Sequence, residues 1–392
     1  MATTQGREKG LRTFDIAVIG GGPAGAATAV VAAEAGRRVL LVEQRSDPPS
    51  SSRIEPPAYK IGEGLPGAGR MLLGRLGVWQ DFLKQGHLPS YSNQSYWGSA
   101  ERQVVDFIRD PHGHAWHLDR LAFDALLRHR AEQAGAELWT GTKFLTAAEK
   151  DGGWSLRLRR GEPRASSAGV DGEAEIETKI LVDATGRVAR VSAELGVPRR
   201  KDDELLGFHR LFQVEDGPED GDSSTLIESV ADGWWYTAPL PGKVRVVAFF
   251  TDADLEGRRL AGSGDGFQTL LGKSANVGSL LVERHYRPIT EPRAAPSHSG
   301  CLETVVGPGR LAVGDAATAF DPLSSQGIYS ALHSGVVAGE ALDRHLSGDE
   351  QALALYQDRI ATVYDTYLRN RNAYYQLEQR FVDRPFWRRR LG

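Results

Sequence analysis

Three groups of residues have types and spacings suited to chemistry. The first is Gly20-x-Gly22-x-x-Gly25, followed by Glu43. In such a run the first glycine permits a tight turn, the second lets backbone approach a diphosphate, and the third lets a helix pack closely on a strand. Free N–H groups at the helix start favour an anion. An acid at position 43 suits a ribose hydroxyl and an adenosine without a 2′-phosphate. The second group is "GDAATAFDPLSSQGIYSA", Gly314 to Ala331: an aspartate after an apolar strand, a loop with no charged side chain after Asp321, then a helix start. The third is dispersed: Glu63 in "GEGLPG", His209, and the run Trp234, Trp235, Tyr236.

These residues need elements to hold them. The apolar segment Phe14–Ile19 predicts a strand, the alanine-rich stretch after Gly25 a helix, and Arg38–Glu43 a second strand. "GEGLPG" repeats the glycine pattern, but no apolar strand precedes it and Glu63 would repel a phosphate. It reads as a tight turn entering a helix over Gly67–Leu76, so the chain has one dinucleotide-binding unit. "LDRLAFDALLRHRAEQAGAELW" predicts a helix with Leu121, Phe123, Leu126 and Leu127 on its apolar side, closed by Gly135. A hairpin is expected around Asp151-Gly152-Gly153, a loop over 161–175, and a buried strand in "ETKILVDATGR". From about 200 to 297 the texture becomes β-rich with acidic breaks such as "EDGPEDGDSS". The chain then returns through "GRLAVGDA" to a helical C-terminal region. The fold class expected is α/β: a Rossmann-type nucleotide domain (12–85, 117–198 and 299–345) with a β-rich substrate domain inserted (86–116 and 199–298), and a helical region over 346–392.

Composition narrows the function classes. A chain of 392 residues has room for about two to three domains. A quarter of the residues are charged and no apolar run approaches the ~20 residues of a spanning helix. The polar start "MATTQGREKGLRTF" reads as a lead-in rather than a secretory signal, which points to the cytoplasm. A lone cysteine, Cys301, excludes an internal disulfide and a cysteine metal cage. A net charge of −4, with no basic stripe beyond the terminal "FWRRRLG", gives no footing for nucleic acid. His112, His114 and His117 cluster in "HGHAWH", but without a carboxylate or cysteine partner their spacing does not argue for a metal.

With "GGGPAG", "LVDATGR" and "GDAATAFDPLSSQG" in that order, the sequence resembles the FAD-dependent aromatic hydroxylase and halogenase superfamily, with its p-hydroxybenzoate-hydroxylase-like fold. The resemblance implies that Gly20, Gly22, Pro23, Ala24 and Gly25 bind the ADP half of FAD together with Glu43, Gln44 and Arg45, and that Gly314-Asp315 binds the ribityl chain. Asp183 and Gly186 join the cofactor set, and Arg120 matches an arginine near the flavin. The loop Pro322–Gly327, with Ser325, would pass beside the isoalloxazine. Backbone N–H groups around Gln326, Gly327 and Ile328 would stabilise negative charge on the N1–C2 edge of reduced flavin. Within this superfamily the halogenases carry an activating lysine, yet none occurs here between Lys84 and Lys143. Their W-x-W-x-I-P motif is altered at Tyr236 and Ala238, and Ser324-Ser325-Gln326 replaces Glu-Ser-Thr. These departures argue against halogenation. "GEGLPGAGRMLLGRLGVW", "GHLPSYSNQSYWGS" and "YYQLEQRFVDRPFWRRR" are similar to flavoproteins that oxygenate tryptophan residues during quinone-cofactor maturation.

The resemblance therefore implies a monooxygenase that hydroxylates an electron-rich aromatic ring, in its sharpest version a peptide-bound indole, through a flavin C4a-hydroperoxide. NADH, NADPH or a partner flavin reductase would supply electrons. Trp235 or Tyr236 is expected to line the substrate cavity, unless both are core aromatics; Trp234 and Tyr236 should share one strand face and Trp235 the other. Tyr96 and Trp97 carry the same ambiguity. Glu63 either positions substrate and relays a proton or caps the next helix, and His209 is either a base or a satisfied core histidine. The rival readings are an isoprenoid double-bond reductase, which predicts a long apolar tunnel, and a catalytically silent flavin scaffold.

Overall fold

Strand Arg12–Ile19 is apolar without alternation because it is central, pairing in parallel with Val39–Val42 on one side and Gly172–Asp183 on the other. The computed structural model in which this is seen describes residues 11–46, 59–161, 172–214 and 221–391. The lead-in over 1–10, the centre of the expected 161–175 loop and most of the acidic "EDGPEDGDSS" lie outside the described residues. The first sheet continues outward through Arg310–Ala312 on one side and Glu137–Trp139 on the other. The expected hairpin joins Thr142–Lys150 to Gly153–Arg160 through Asp151 and Gly152, both at positive φ as a two-residue turn requires. The loop expected over 161–175 ends early, since Gly172 already begins a strand.

The second large sheet runs in the order Tyr286–Pro288, Leu205–Val214, Val244–Asp252, Gly233–Leu240, Thr225–Val230, Ser92–Tyr96, Gln103–Asp106. Three short helices, Glu256–Ala261, Gly264–Leu271 and Val277–Glu283, cover one face around Trp235, Phe249 and Phe267. They qualify the β-rich expectation: Ser263 accepts from Gly266 N–H as an N-cap, and Phe267, Leu270 and Leu271 supply the helical apolar side. The C-terminal helices Ala352–Gln376 and Pro385–Leu391 bring Tyr375, Phe386 and Trp387 against the other face, beside Trp97, Trp234 and Leu323. "GEGLPG" is more than a turn, because Gly64–Leu65 pairs with Trp116–His117 and the next helix begins only at Gly69.

Helix Pro23–Glu34 lies in parallel against helix Gly327–Leu346 with almost no side chain between them. A Cβ on Gly335 would stand 2.3 Å from the Ala24 carbonyl oxygen, and one on Gly339 would stand 2.6 Å from Val31 Cβ. Thr28 Oγ1 donates to the Gly335 carbonyl at 3.1 Å. Because Gly335 sits opposite Ala24 in the first turn of the earlier helix, the later helix begins roughly 10 Å before the earlier one along their shared direction, at about 1.5 Å per residue. Among the described residues no helix is long and apolar enough to cross a membrane.

Gly335→Ala tests this contact by its sign. Helix propensity alone would stabilise the variant by about 1 kcal/mol. The clash is with backbone that cannot swing away, so the expected result is a net loss of about 1–3 kcal/mol in thermal or denaturant unfolding.

Candidate functional site

The first glycine loop has the shape its spacing demands. Gly20 has φ of +114°, and a Cβ there would lie 2.2 Å from the Ala184 carbonyl oxygen. A Cβ on Gly25 would lie 1.9 Å from the Gly20 oxygen. Gly22, by contrast, faces open space at the start of helix Pro23–Glu34, where no side chain caps the helix. Glu43 folds back onto this loop, accepting Gly21 N–H at 2.9 Å and Arg45 N–H at 2.8 Å, while Gln44 and Arg45 themselves are exposed. Arg128 donates to the Gly21 carbonyl from below.

A second cradle opens at Gly327, which also faces open space and begins a helix with no side-chain cap. Ser325, with φ of +51°, turns the chain into Gln326, Gly327 and Ile328. Asp315 is partly exposed and paired with Arg187 at 3.2 Å, within a backbone segment held by Arg199. Two uncapped helix N-termini about two turns apart, with carboxylates at Glu43 and Asp315, fit FAD: diphosphate at the first, ring edge at the second. Asp183 has a different part. Its two oxygens are taken by Thr185 and by Ser192, so it shapes the turn before Gly186 rather than offering a free carboxylate.

The uncharged loop has its reason in Asp321. That carboxylate turns inward, accepting Leu323 N–H at 2.9 Å and the Tyr375 hydroxyl at 2.7 Å, and Tyr375 in turn accepts from Trp234 Nε1. Burial, with Asp203 nearby, pushes its carboxyl up to about 6. Arg120 grips Asp124 at 3.1 Å and the Gly62 carbonyl at 2.6 Å, so it braces the segment that carries Glu63. Lys60 joins the same Asp124 at 2.5 Å.

Glu63 is the centre of the third group. It is 2% exposed and accepts hydrogen bonds from the hydroxyls of Tyr59 (2.7 Å) and Tyr236 and from Gly62 N–H (3.1 Å). Its carboxylate is committed to these donors, and no side chain caps the following helix. Burial, then the charge of Glu63, holds both phenols well above their ordinary range, so they remain donors. His209 and His117 flank the cluster; burial lowers both imidazoles although Glu63 opposes it, so both are neutral near pH 7. Nδ1 of each is buried without a hydrogen-bond partner.

Tyr236, His209 and Glu63 thus converge, whereas Trp235 does not. It points to the opposite sheet face, 1% exposed between Phe249 and Phe267, and is a core residue. Trp97 is also core, donating to the Tyr374 carbonyl, and Tyr96 packs with the Trp235 side. His114 packs against Trp116 in a tilted arrangement and His117 bonds to the Ser223 carbonyl; among the described residues no group of three metal-ligating side chains forms. Tyr59 and Tyr375 were not singled out in the sequence. "AYKIGEG" carries no periodic signal, and Tyr375 reads as one helix aromatic among several. A cavity of about 340 Å³ lined by Arg210, Ser263, Asp265 and Glu291 lies on the helix-covered side of the sheet, away from Glu63.

Residues 78–391 match the family described as tryptophan halogenase, and residues 15–54 match that described as FAD dependent oxidoreductase. The chain is 30% identical over 383 residues to LodB of Marinomonas mediterranea, covering 97% of each chain. It is 23% identical over 357 residues to the 1H-pyrrole-2-carbonyl-[peptidyl-carrier protein] brominase of Pseudoalteromonas luteoviolacea, covering 89% of this chain and 82% of that one. Among solved structures it superposes on the myxobacterial chondrochloren halogenase CndH with a TM-score of 0.84 at 24% identity, covering 97% and 86% of the two chains. The peptidyl tryptophan dihydroxylase QhpG gives a TM-score of 0.74 at 26% identity, covering 97% and 79%.

The Asp321 latch has a pH signature. Its folded-state value of about 6 lies above the ordinary 3.8, so the folded state binds the proton more tightly between those values. Its contribution to stability therefore falls as pH rises from about 4 through about 6, by on the order of 3 kcal/mol. Asp321→Asn is expected to remove that slope. The check is urea unfolding across this window, read as the difference between variant and wild type.

Proposed function

The chain belongs to the tryptophan halogenase family of FAD-dependent oxidoreductases, and on that footing we propose that it is a monooxygenase that hydroxylates an electron-rich aromatic ring, most sharply an indole held in a peptide. The observation that carries this reading is the buried carboxylate of Glu63, held by two phenols on the sheet face against which Leu323 of the 322–327 loop packs. The similarity to a peptidyl tryptophan dihydroxylase over 97% of the chain supports the peptide-bound version.

FAD would be held by the Gly20–Gly25 loop, Glu43, Asp315 and the helix start at Gly327. When bound and reduced it supplies the activation of dioxygen. The remaining work falls to the protein. Glu63 sits where it can take the proton released when a ring carbon gains oxygen, or a proton from a ring N–H or O–H. Tyr236 and Gly62 N–H hold the carboxylate in place, and the closed aromatic surroundings exclude water that would compete for the reactive oxygen. His209, neutral and partly buried, gives a second acceptor at the same end of the site. NADH or NADPH, directly or through a partner flavin reductase, would supply the electrons.

Halogenation is the second reading, favoured by the halogenases among the relatives. It needs a lysine amine free to meet the oxidised halide, and Lys60, close in sequence to Glu63, is instead joined to Asp124.

The test is to supply reduced flavin, oxygen and bromide together with free indoles, phenols and tryptophan-bearing peptides, and to weigh the products. Products heavier by one or two oxygen atoms are expected, with turnover in Glu63→Gln lower by roughly a hundredfold or more. Bromine incorporation, or consumption of oxygen with no modified substrate, would sink the proposal.

A further inference from the structure

The face that carries Tyr236 is laid out in cross-strand rows, and the rows define a seat. His209, Ala248 and Tyr236 stand directly opposite one another on three neighbouring strands and share a face. Two residues further along, Leu211, Val246 and Ala238 form the next row on that face. The second row is a small apolar floor, and the first gives a wall with His209 and Tyr236 at its ends, about 10 Å apart at the usual strand spacing. Between them is only the methyl group of Ala248. Glu63 closes the seat through its bond to Tyr236.

The ring of Tyr59 fills this seat. It packs against the Leu211, Val246 and Ala238 group, its centroid is 6.1 Å from that of His209, and its hydroxyl donates to Glu63 at 2.7 Å. Tyr59 belongs to no helix or strand, so its place is set by its side chain and not by a backbone ladder. Glu63 would keep Tyr236 and Gly62 N–H as donors without it. Nδ1 of His209 has no hydrogen-bond partner, so the tyrosine leaves one polar group of the seat unsatisfied.

We propose that Tyr59 is a placeholder for the substrate ring, and that the ligand of this site is a flat aromatic bearing one O–H or N–H donor that replaces the Tyr59 hydroxyl on Glu63. This deepens the reading above by naming the binding chemistry, a phenol or an indole, and it rests on that reading for the reaction alone. Substrate and Tyr59 then compete for one seat, so the wild-type chain binds a free ring more weakly than an emptied seat does.

The experiment is calorimetric titration of the full-length, FAD-loaded chain with p-cresol, 3-methylindole and toluene. Tyr59→Ala is expected to bind p-cresol and 3-methylindole at least about tenfold more tightly than wild type, because the vacated seat accepts them. Tyr59→Phe, which keeps the ring in place, should bind them no better than wild type. Adding Glu63→Gln to Tyr59→Ala should weaken p-cresol and leave toluene unchanged. A folded Tyr59→Ala that binds neither donor ring better than wild type overturns the proposal. If Tyr59→Ala does not fold, 3-fluorotyrosine at position 59 of the otherwise native chain decides: its fluorine resonance should move to the solvent-exposed position as ligand saturates, and a resonance unmoved at saturating ligand overturns the placeholder. A chain that binds donor rings in this way yet transfers no oxygen would overturn the reaction and leave the seat standing.

Discussion

The contact between helices Pro23–Glu34 and Gly327–Leu346 sets the geometry on which everything else in the molecule relies. Glycine and alanine at the crossing bring backbone against backbone, and Thr28 adds a hydrogen bond from one helix to the other. Two helix starts are thereby held in parallel and offset along their common direction. Each is bare of a side-chain cap, so each keeps the partial positive charge and free N–H groups that an anion needs. A long ligand with a diphosphate at one end and an electron-accepting ring at the other would meet both. The offset is a consequence of which residues are small, since a larger side chain at Gly335 would have moved the second helix away.

Buried carboxylates tie the remaining layers to this pair, and their partners separate structural from functional roles. Asp183 is consumed by Thr185 and Ser192. Glu228 caps the start of helix Val277–Glu283 through backbone N–H groups and Ser274. Glu378 would be raised by burial, but Arg380, Ser229 and backbone N–H groups hold it down to about 2, which locks the C-terminal segment to Gly98. Each of these charges is neutralised or fully hydrogen-bonded, as burial requires. Asp321 and Glu63 differ, because tyrosine hydroxyls are their main side-chain partners. A phenol satisfies a carboxylate without cancelling its charge, and both phenols on Glu63 are held as protonated donors.

Asp321 also links helix Ala352–Gln376 to the 322–327 loop. Tyr375 donates to its carboxylate, and Tyr367 accepts from its N–H. The aromatic cluster of Trp97, Trp234, Phe386 and Trp387 then fastens that helix to the second sheet. The loop after Asp321 carries no further charge, and its anchoring carboxylate is spent inward.

What the sequence determined by itself was whatever depends on near neighbours in the chain. Gly20 and Gly25 could be assigned their tight turn and close packing because both lie within one short segment. Asp151-Gly152 announced its hairpin for the same reason, and strand alternation placed Trp234 and Trp235 on opposite faces. What covers each face was decided only by the tertiary structure, with helices 256–283 on the Trp235 side and the C-terminal helices and Leu323 on the Trp234 side. Trp235 went to the core for that reason. The assembly around Glu63 lay still further from view: strand register brings His209 and Tyr236 into one row, and only side-chain packing and the bond to Glu63 seat Tyr59 beside them. A side chain's chemistry is printed in its type, but its partners are set by packing between segments, which no local pattern encodes.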